Sequence, residues 1–349
     1  MKHIALFVLG AAALIACSLV DEDVRDCEND YTLDYELQLV TNLTTELQTQ
    51  ISMAADVSLS SALETKMKDI FTDFAHDADL SFYDVSGDSL RLHHESHIMD
   101  AAESSYALYI PIRKYMHLAA ANVGDNEMVQ LLQGEKCHQA SFHQLVQDTV
   151  SCHKTGLYSA RLLMDIQEGV DQKFDVRLFM VNCATSVILD TLGSGIKDAR
   201  VFLTGFATDF DLADSTYRYE YSPIIRPDKV SVSDKASAPI CYASVNFPSR
   251  DIPPQTKTVI ETNEPFVSEN ADKALWEIRV YCTCKDGAVT ETRLGMLRPL
   301  RPGQFKIVEL SVKNSGAALP DTPGGEADPT MAVSVTLDWH PGMVIEVPL

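Results

Sequence analysis

Residues 275–284 read "LWEIRVYCTC", and their alternation decides the class of fold. Trp276, Ile278, Val280, Cys282 and Cys284 fall on one side of an extended chain, with Glu277, Arg279 and Thr283 on the other. Alternation with a period of two marks an antiparallel sheet that has one face in a core and one in water. The same beat runs through residues 31–39, "YTLDYELQL", where Tyr31, Leu33, Tyr35, Leu37 and Leu39 share a side. It returns at 330–339, "TMAVSVTLDW", with Met331, Val333, Val335, Leu337 and Trp339 together. Longer β-type runs cover 105–123 and 173–190. The expectation is a mainly β chain built of sandwiches.

Helical spacing is clear in one place. Leu63, Met67, Ile70, Phe71 and Phe74 form a stripe over 61–74, with Ser61 and Glu64 in a capping-box pattern at its start. Shorter helices are expected near 125–133 and 140–150. From about residue 200 onward Pro and Gly punctuate the chain instead. Gly193, Ser194 and Gly195 in "DTLGSGIKDARV" (190–201) read as a joint, which divides the chain into 28–190 and 196–349. A chain of 349 residues is about two domains long. Residues 313–329 read as a polar connection before the last strands.

The 28 Lys and Arg against 50 Asp and Glu give a formal charge of −22, which repels nucleic acid and anionic headgroups. Lys2 and His3 precede the apolar run 4–16, which has the length of a signal peptide and is too short to cross a bilayer. "LIAC" (14–17) matches the bacterial lipobox: cleavage falls between Ala16 and Cys17, and Cys17 carries the lipid. An ordinary signal peptide with a chance cysteine is the alternative. Several acyl chains, at about 0.8 kcal/mol per buried methylene, make a near-permanent anchor. Residues 17–27 then form an acidic tether, and Asp21-Glu22-Asp23 resembles the lipoprotein export signal of Bacteroidetes. Cys137 and Cys152 are the best disulfide candidates among seven remaining cysteines.

These features, taken in order, resemble the FimB-type fimbrial anchor-subunit lipoproteins of Bacteroidetes. The carriers are the lipobox with "SLVDEDVRDC", the strand "YTLDYELQLV", "KMKDIFTDFAHDADLSFYDVSG", "KFDVRLFMVNCATSVILD" and the closing "DWHPGMVIEVPL". The resemblance implies two tandem transthyretin-like β-sandwich domains, the first with inserted helices, and no enzymatic activity. It implies an outer-membrane lipoprotein at the base of a surface fimbrium, exposed on the cell and binding fimbrial subunits by β-strand addition. Shaft subunits of such fibres lose an N-terminal strand to a protease that cuts after arginine. Arg25 reads as an uncleaved linker residue, because a cut there would part the chain from its lipid. The segments 330–339 and 343–349 could be exchanged strands or simply the last strands of the second sandwich.

Nothing in the sequence demands catalysis. "LHHESH" (92–97) spaces His93 and His97 for a helical zinc pair, but Glu95 is misplaced for the zincin order, and on a strand the three share a polar face. Cys137-His138, His143 and Cys152-His153 match no zinc finger, and Cys282-Thr283-Cys284 reads as buried thiols. No nucleophile elbow, phosphate loop or dinucleotide fingerprint occurs. Asp88-Ser89-Leu90, Asp148-Thr149-Val150 and Asp190-Thr191-Leu192 match a short O-glycosylation pattern. No metal and no cofactor beyond the Cys17 lipid is expected, and membrane contact is through that lipid only. The reading is a non-enzymatic lipoprotein that anchors or caps a fimbrium and supports adhesion. The alternative is a lipid-anchored module binding glycan or host matrix.

Overall fold

The computed structural model describes residues 31–37, 57–71, 75–86, 88–98, 105–147, 149–168, 170–231, 239–253, 273–320 and 331–336. The signal region, Cys17, Arg25, Cys27, Gly87 and the segment 343–349 lie outside the described residues. In the first half the elements are β1 (Tyr31–Leu37), α1 (Val57–Ile70), β2 (Asp77–Asp84), β3 (Arg91–Ile98), β4 (Ser105–Leu108), β5 (Lys114–Ala121) and β6 (Val129–Leu132). Then come β7 (Ser141–Gln144), β8 (Thr149–Ser151), β9 (Tyr158–Asp165), β10 (Gln172–Met180) and β11 (Cys183–Asp190). The second half holds β12 (Ile196–Thr204), β13 (Asp209–Asp211), β14 (Thr216–Arg218), β15 (Ile224–Arg226), β16 (Asp228–Val230) and β17 (Ile240–Asn246). It closes with β18 (Trp276–Cys284), β19 (Val289–Met296), β20 (Phe305–Val312), β21 (Ala318–Pro320) and β22 (Met331–Thr336).

The chain is mainly β, as its alternation requires. A seven-stranded sheet, β3-β2-β5-β9-β10-β1-β4, folds over on itself to make the first sandwich. The fold comes where β9 and β10 share only two residue pairs, Phe179 with Ser159 and Met180 with Tyr158. Leu80, Phe82, Tyr115 and Met164 from one limb then pack with Val176, Leu178 and Leu108 from the other. The second sandwich faces β16-β17-β11-β20-β21 with β22-β19-β18-β12-β15-β8. Trp276, Ile278, Val280 and Cys282, the apolar side of the alternation in β18, line its core with Val187, Leu189, Val308 and Leu310.

Strand β11 is buried on both faces. Cys183, Val187 and Leu189 face the second core, whereas Ala184 and Ile188 join the first, against Leu63, Met67 and Ile70 of α1. That double burial explains the nearly unbroken apolar run "CATSVIL". It also corrects the domain boundary. The run 173–190 is two strands that part at Val181-Asn182, and β11 pairs with β17 and β20 of the second sandwich. Residues 191–195 are a turn between facing sheets rather than a joint. Leu192 N–H donates to Asp190 Oδ1 at 3.0 Å, Ser194 Oγ to the Thr191 carbonyl at 2.7 Å, and Gly193 and Gly195 supply φ of 76° and 67°.

Other helical expectations fail for the same reason, tertiary pairing overriding local spacing. Residues 129–132 and 141–144 are β6 and β7, and 149–151 is β8; a short 3-10 turn covers Cys137–Gln139. In β6 and β7 Val129 and Phe142 are buried under a four-stranded sheet, β14-β13-β7-β6, that caps the outer side of β2 and β5 through Tyr83, Leu118 and Ala120. Helix α1 starts at Val57, so Ser61 and Glu64 lie inside it and cap nothing. The run 105–123 breaks at Pro111 into β4 and β5, and β21 occupies part of 313–329. Because β7 pairs with β13 and β8 with β15, the halves share two sheets.

Candidate functional site

Strand β1 is the element that sets the first sandwich apart. It lies between β10 and β4, parallel to the first over seven residue pairs and antiparallel to the second over four. A parallel neighbour needs a long crossover; here 134 residues separate Leu37 from Gln172, counting 38 to 171. The register sets Leu33, Tyr35 and Leu37 beside Phe174, Val176 and Leu178, which face the core in β10. Sequence alternation alone could place "YTLDYEL" in any sheet; the slot that holds it is built from β10 and β4, far along the chain.

Edges available for strand addition are set by the sheet orders. Among the described residues β3 and β4 end the first sheet, and β22 ends the six-stranded one. β22 pairs with β19 over six positions, Met331 with Met296 through Thr336 with Glu291, and Val335 is buried. In this structure 331–336 therefore serves as the last strand of its own sandwich.

The polar constellations fall into separate places. His93, Glu95 and His97 share one face of β3, as their spacing requires. Glu95 bridges them, with Oε1 at 2.5 Å from His93 Nε2 and Oε2 at 2.9 Å from His97 Nε2. Hydrogen bonds from both rings hold the Glu95 carboxyl below its ordinary range against the effect of partial burial. On the opposite face His94 Nε2 sits 2.8 Å from Asp79 Oδ2, to which Ser96 Oγ donates at 2.9 Å. Among the described residues no three His, Cys, Asp or Glu are grouped to hold a metal ion.

Cys137 and Cys152 do not pair. Both are free thiols: Cys137 packs beside the cluster around Phe142, while Cys152 lies in the second core. Burial raises both thiol pKa values and pushes that of Cys282 up to about 12, which keeps them protonated and slow to oxidise. His143 Nδ1 meets Asp209 Oδ1 at 2.6 Å, and His153 is buried at the junction of the sandwiches. There Asn182 Nδ2 donates to His153 Nδ1 at 2.7 Å, and Asn182 Oδ1 accepts from Leu157 N–H. Among the described residues no helix is long and apolar enough to cross a membrane.

This architecture recurs in solved structures. An adhesin candidate from Bacteroides ovatus matches with a TM-score of 0.51 at 10% identity, covering 91% of this chain and 100% of its own. The fold is shared. A candidate polysaccharide-binding protein from Bacteroides thetaiotaomicron gives 0.49 at 11% identity, covering 83% of this chain and 94% of its own. The fimbrial anchor protein Mfa2 from Porphyromonas gingivalis gives 0.41 at 10% identity, covering 72% and 76%. No family model and no curated protein matches the sequence.

Proposed function

We propose that this chain is a non-enzymatic surface subunit that ends a fimbrium at the outer membrane, held there by lipid on Cys17 after cleavage behind Ala16. The observation that carries the reading is the seating of β1. The first described strand after the tether is built into the sheet on both sides. Residues 26–65 contain neither Lys nor Arg, so a protease that cuts after basic residues finds no site between Arg25 and α1. β1 thus stays in its slot and the slot stays closed to an incoming strand, while the membrane end stays fastened to the fold through Arg25, read as an uncleaved linker residue. A subunit of that kind terminates a fibre instead of extending it.

Fimbrial partners would dock along a free edge, where unpaired N–H and C=O groups give affinity and alternating pockets give specificity. Deletion of the gene followed by electron microscopy tests this. Fibres should be shed or altered in length, and unchanged number, length and attachment would refute the anchoring role.

A further inference from the structure

A second feature of the molecule is independent of how it assembles. Where the sandwiches meet, an open cleft of about 430 Å³ lies between the β9–β10 end, the β13–β14 hairpin and the turn at Pro302. That size falls in the roughly 300–1,000 Å³ range of small-molecule sites, which favour such junctions. Its walls are fixed. Tyr217 Oη donates to the Val181 carbonyl at 2.9 Å, and Gly303 N–H to the Asn182 carbonyl at 2.7 Å. Phe210 and Tyr217 pack at 4.8 Å between ring centroids in the lining.

The chemistry of the rim is specific. Phe179 is 49% exposed, an unusual state for a phenyl ring directly opposite a buried Ser159 in the register. Arg161, two residues along β9 from Ser159, shares its face and lines the same cleft. Arg177 on the outward side of β10 and Arg301 beside Pro302 are exposed as well, and among the described residues none of these three arginines has an ion pair. Of the three, Arg161 is the one that lines the cleft. The acids nearby are Glu36, opposite Arg177 in the register, Asp211, whose Oδ1 accepts from Ala213 N–H and Asp214 N–H, and exposed Asp214. Ser215 holds φ of 55°, a region where glycine is preferred, and so places a hydroxyl-bearing residue in the cleft wall at a conformational cost.

We propose that this cleft binds an acidic saccharide. A sugar ring stacks on Phe179, its carboxylate pairs with Arg161, and its hydroxyls meet Ser159 and Ser215. An aromatic face accepts the C–H surface of a pyranose, and a planar guanidinium takes a carboxylate through two hydrogen bonds. An exposed ring that shares one cleft with an arginine and two serines fits that ligand better than a neutral sugar or an apolar peptide.

The test is calorimetric titration of the full-length chain in detergent with tri-galacturonic acid, with its methyl ester, and with a tri-glutamate peptide. Saturable binding of the acid is expected, at least tenfold tighter than of the ester or the peptide. Phe179→Ala and Arg161→Ala should each weaken it at least tenfold, and Arg161→Ala should abolish the preference for acid over ester. Ser215→Gly relaxes the backbone, so it should fold at least as stably yet bind about threefold more weakly; Arg113→Ala, at a distant ion pair with Asp84, should bind unchanged. Absence of saturable binding, equal binding of the ester or peptide, or an unaffected Phe179→Ala and Arg161→Ala pair would overturn the assignment.

Discussion

The two sandwiches of this protein are closed in different ways. In the second, β11 is clasped over seven positions by antiparallel β17 and over seven by parallel β20, and β18 is clasped over eight each by β12 and β19. In the first, the two limbs join through two residue pairs, and one limb consists of β10, β4 and the strand contributed by the chain start. The second is therefore held by long strand pairings, while the first sheet is completed by β1, which lies 134 residues before its parallel neighbour β10.

The largest effect on this contrast is expected from removal of residues 1–37. Without β1 the β10 and β4 edges lose their partner, so hydrogen exchange and limited proteolysis should show the first sandwich opened and the second still protected. Equal loss of protection in both would show that the shared sheets make one cooperative unit. Next in size is Trp276→Ala, which empties a site that is 2% exposed and leaves the Arg298 carbonyl without the indole N–H that donates to it at 3.0 Å. A loss of about 3–5 kcal/mol is expected in denaturant melts.

Acid should separate the regions too. Complete burial pushes the His117 imidazole down to about 4 and that of His153 to about 3. His117 stacks on Phe82 at 4.3 Å, its Nδ1–H donating to the Ser81 carbonyl at 3.2 Å. The folded state refuses protons that the unfolded chain accepts near pH 6.5, so stability is intact above that pH. It declines as pH falls from 6.5 toward 4 for His117, by about 3 kcal/mol in all, and onward toward 3 for His153. His153 stands at the junction, its backbone N–H donating to the Val245 carbonyl of β17, so the His117 part of the decline is the part that belongs to the first sandwich alone. His117→Phe should flatten the decline between pH 6.5 and 4 in equilibrium melts. A smaller contrast is between glycines. In Gly205→Ala, with φ of 93°, the new Cβ meets the Trp276 backbone at 2.7 Å, whereas in Gly193→Ala it meets open space and only the left-handed φ of 76° costs, about 1 kcal/mol.

Much of this was readable in the sequence because alternation survives wherever one face is buried. Trp276, Ile278, Val280 and Cys282 sit in the core where their period places them. Their outward partners were harder: Tyr281 and Arg279 are also buried, Tyr281 donating to Glu291 Oε1 at 2.7 Å, a fact no period reports. The helical spacing of Phe142 and Leu145 misled because a four-residue strand contains too few residues to display its own period. The boundary at Gly193-Ser194-Gly195 misled because a glycine turn between facing sheets has the same composition as a linker. The slot for β1 and the junction cleft were invisible, since each is assembled from segments over a hundred residues apart or from separate hairpins.

A seated β1 and a lipid on Cys17 would together make this chain a fibre's membrane terminus. The most direct measurement is fractionation of cells carrying Cys17→Ala, followed by electron microscopy of cells and medium. Unlipidated protein and detached fibres are expected in the medium, with β1 still protected from proteolysis. Fibres that remain on the cells in normal number and length would contradict it.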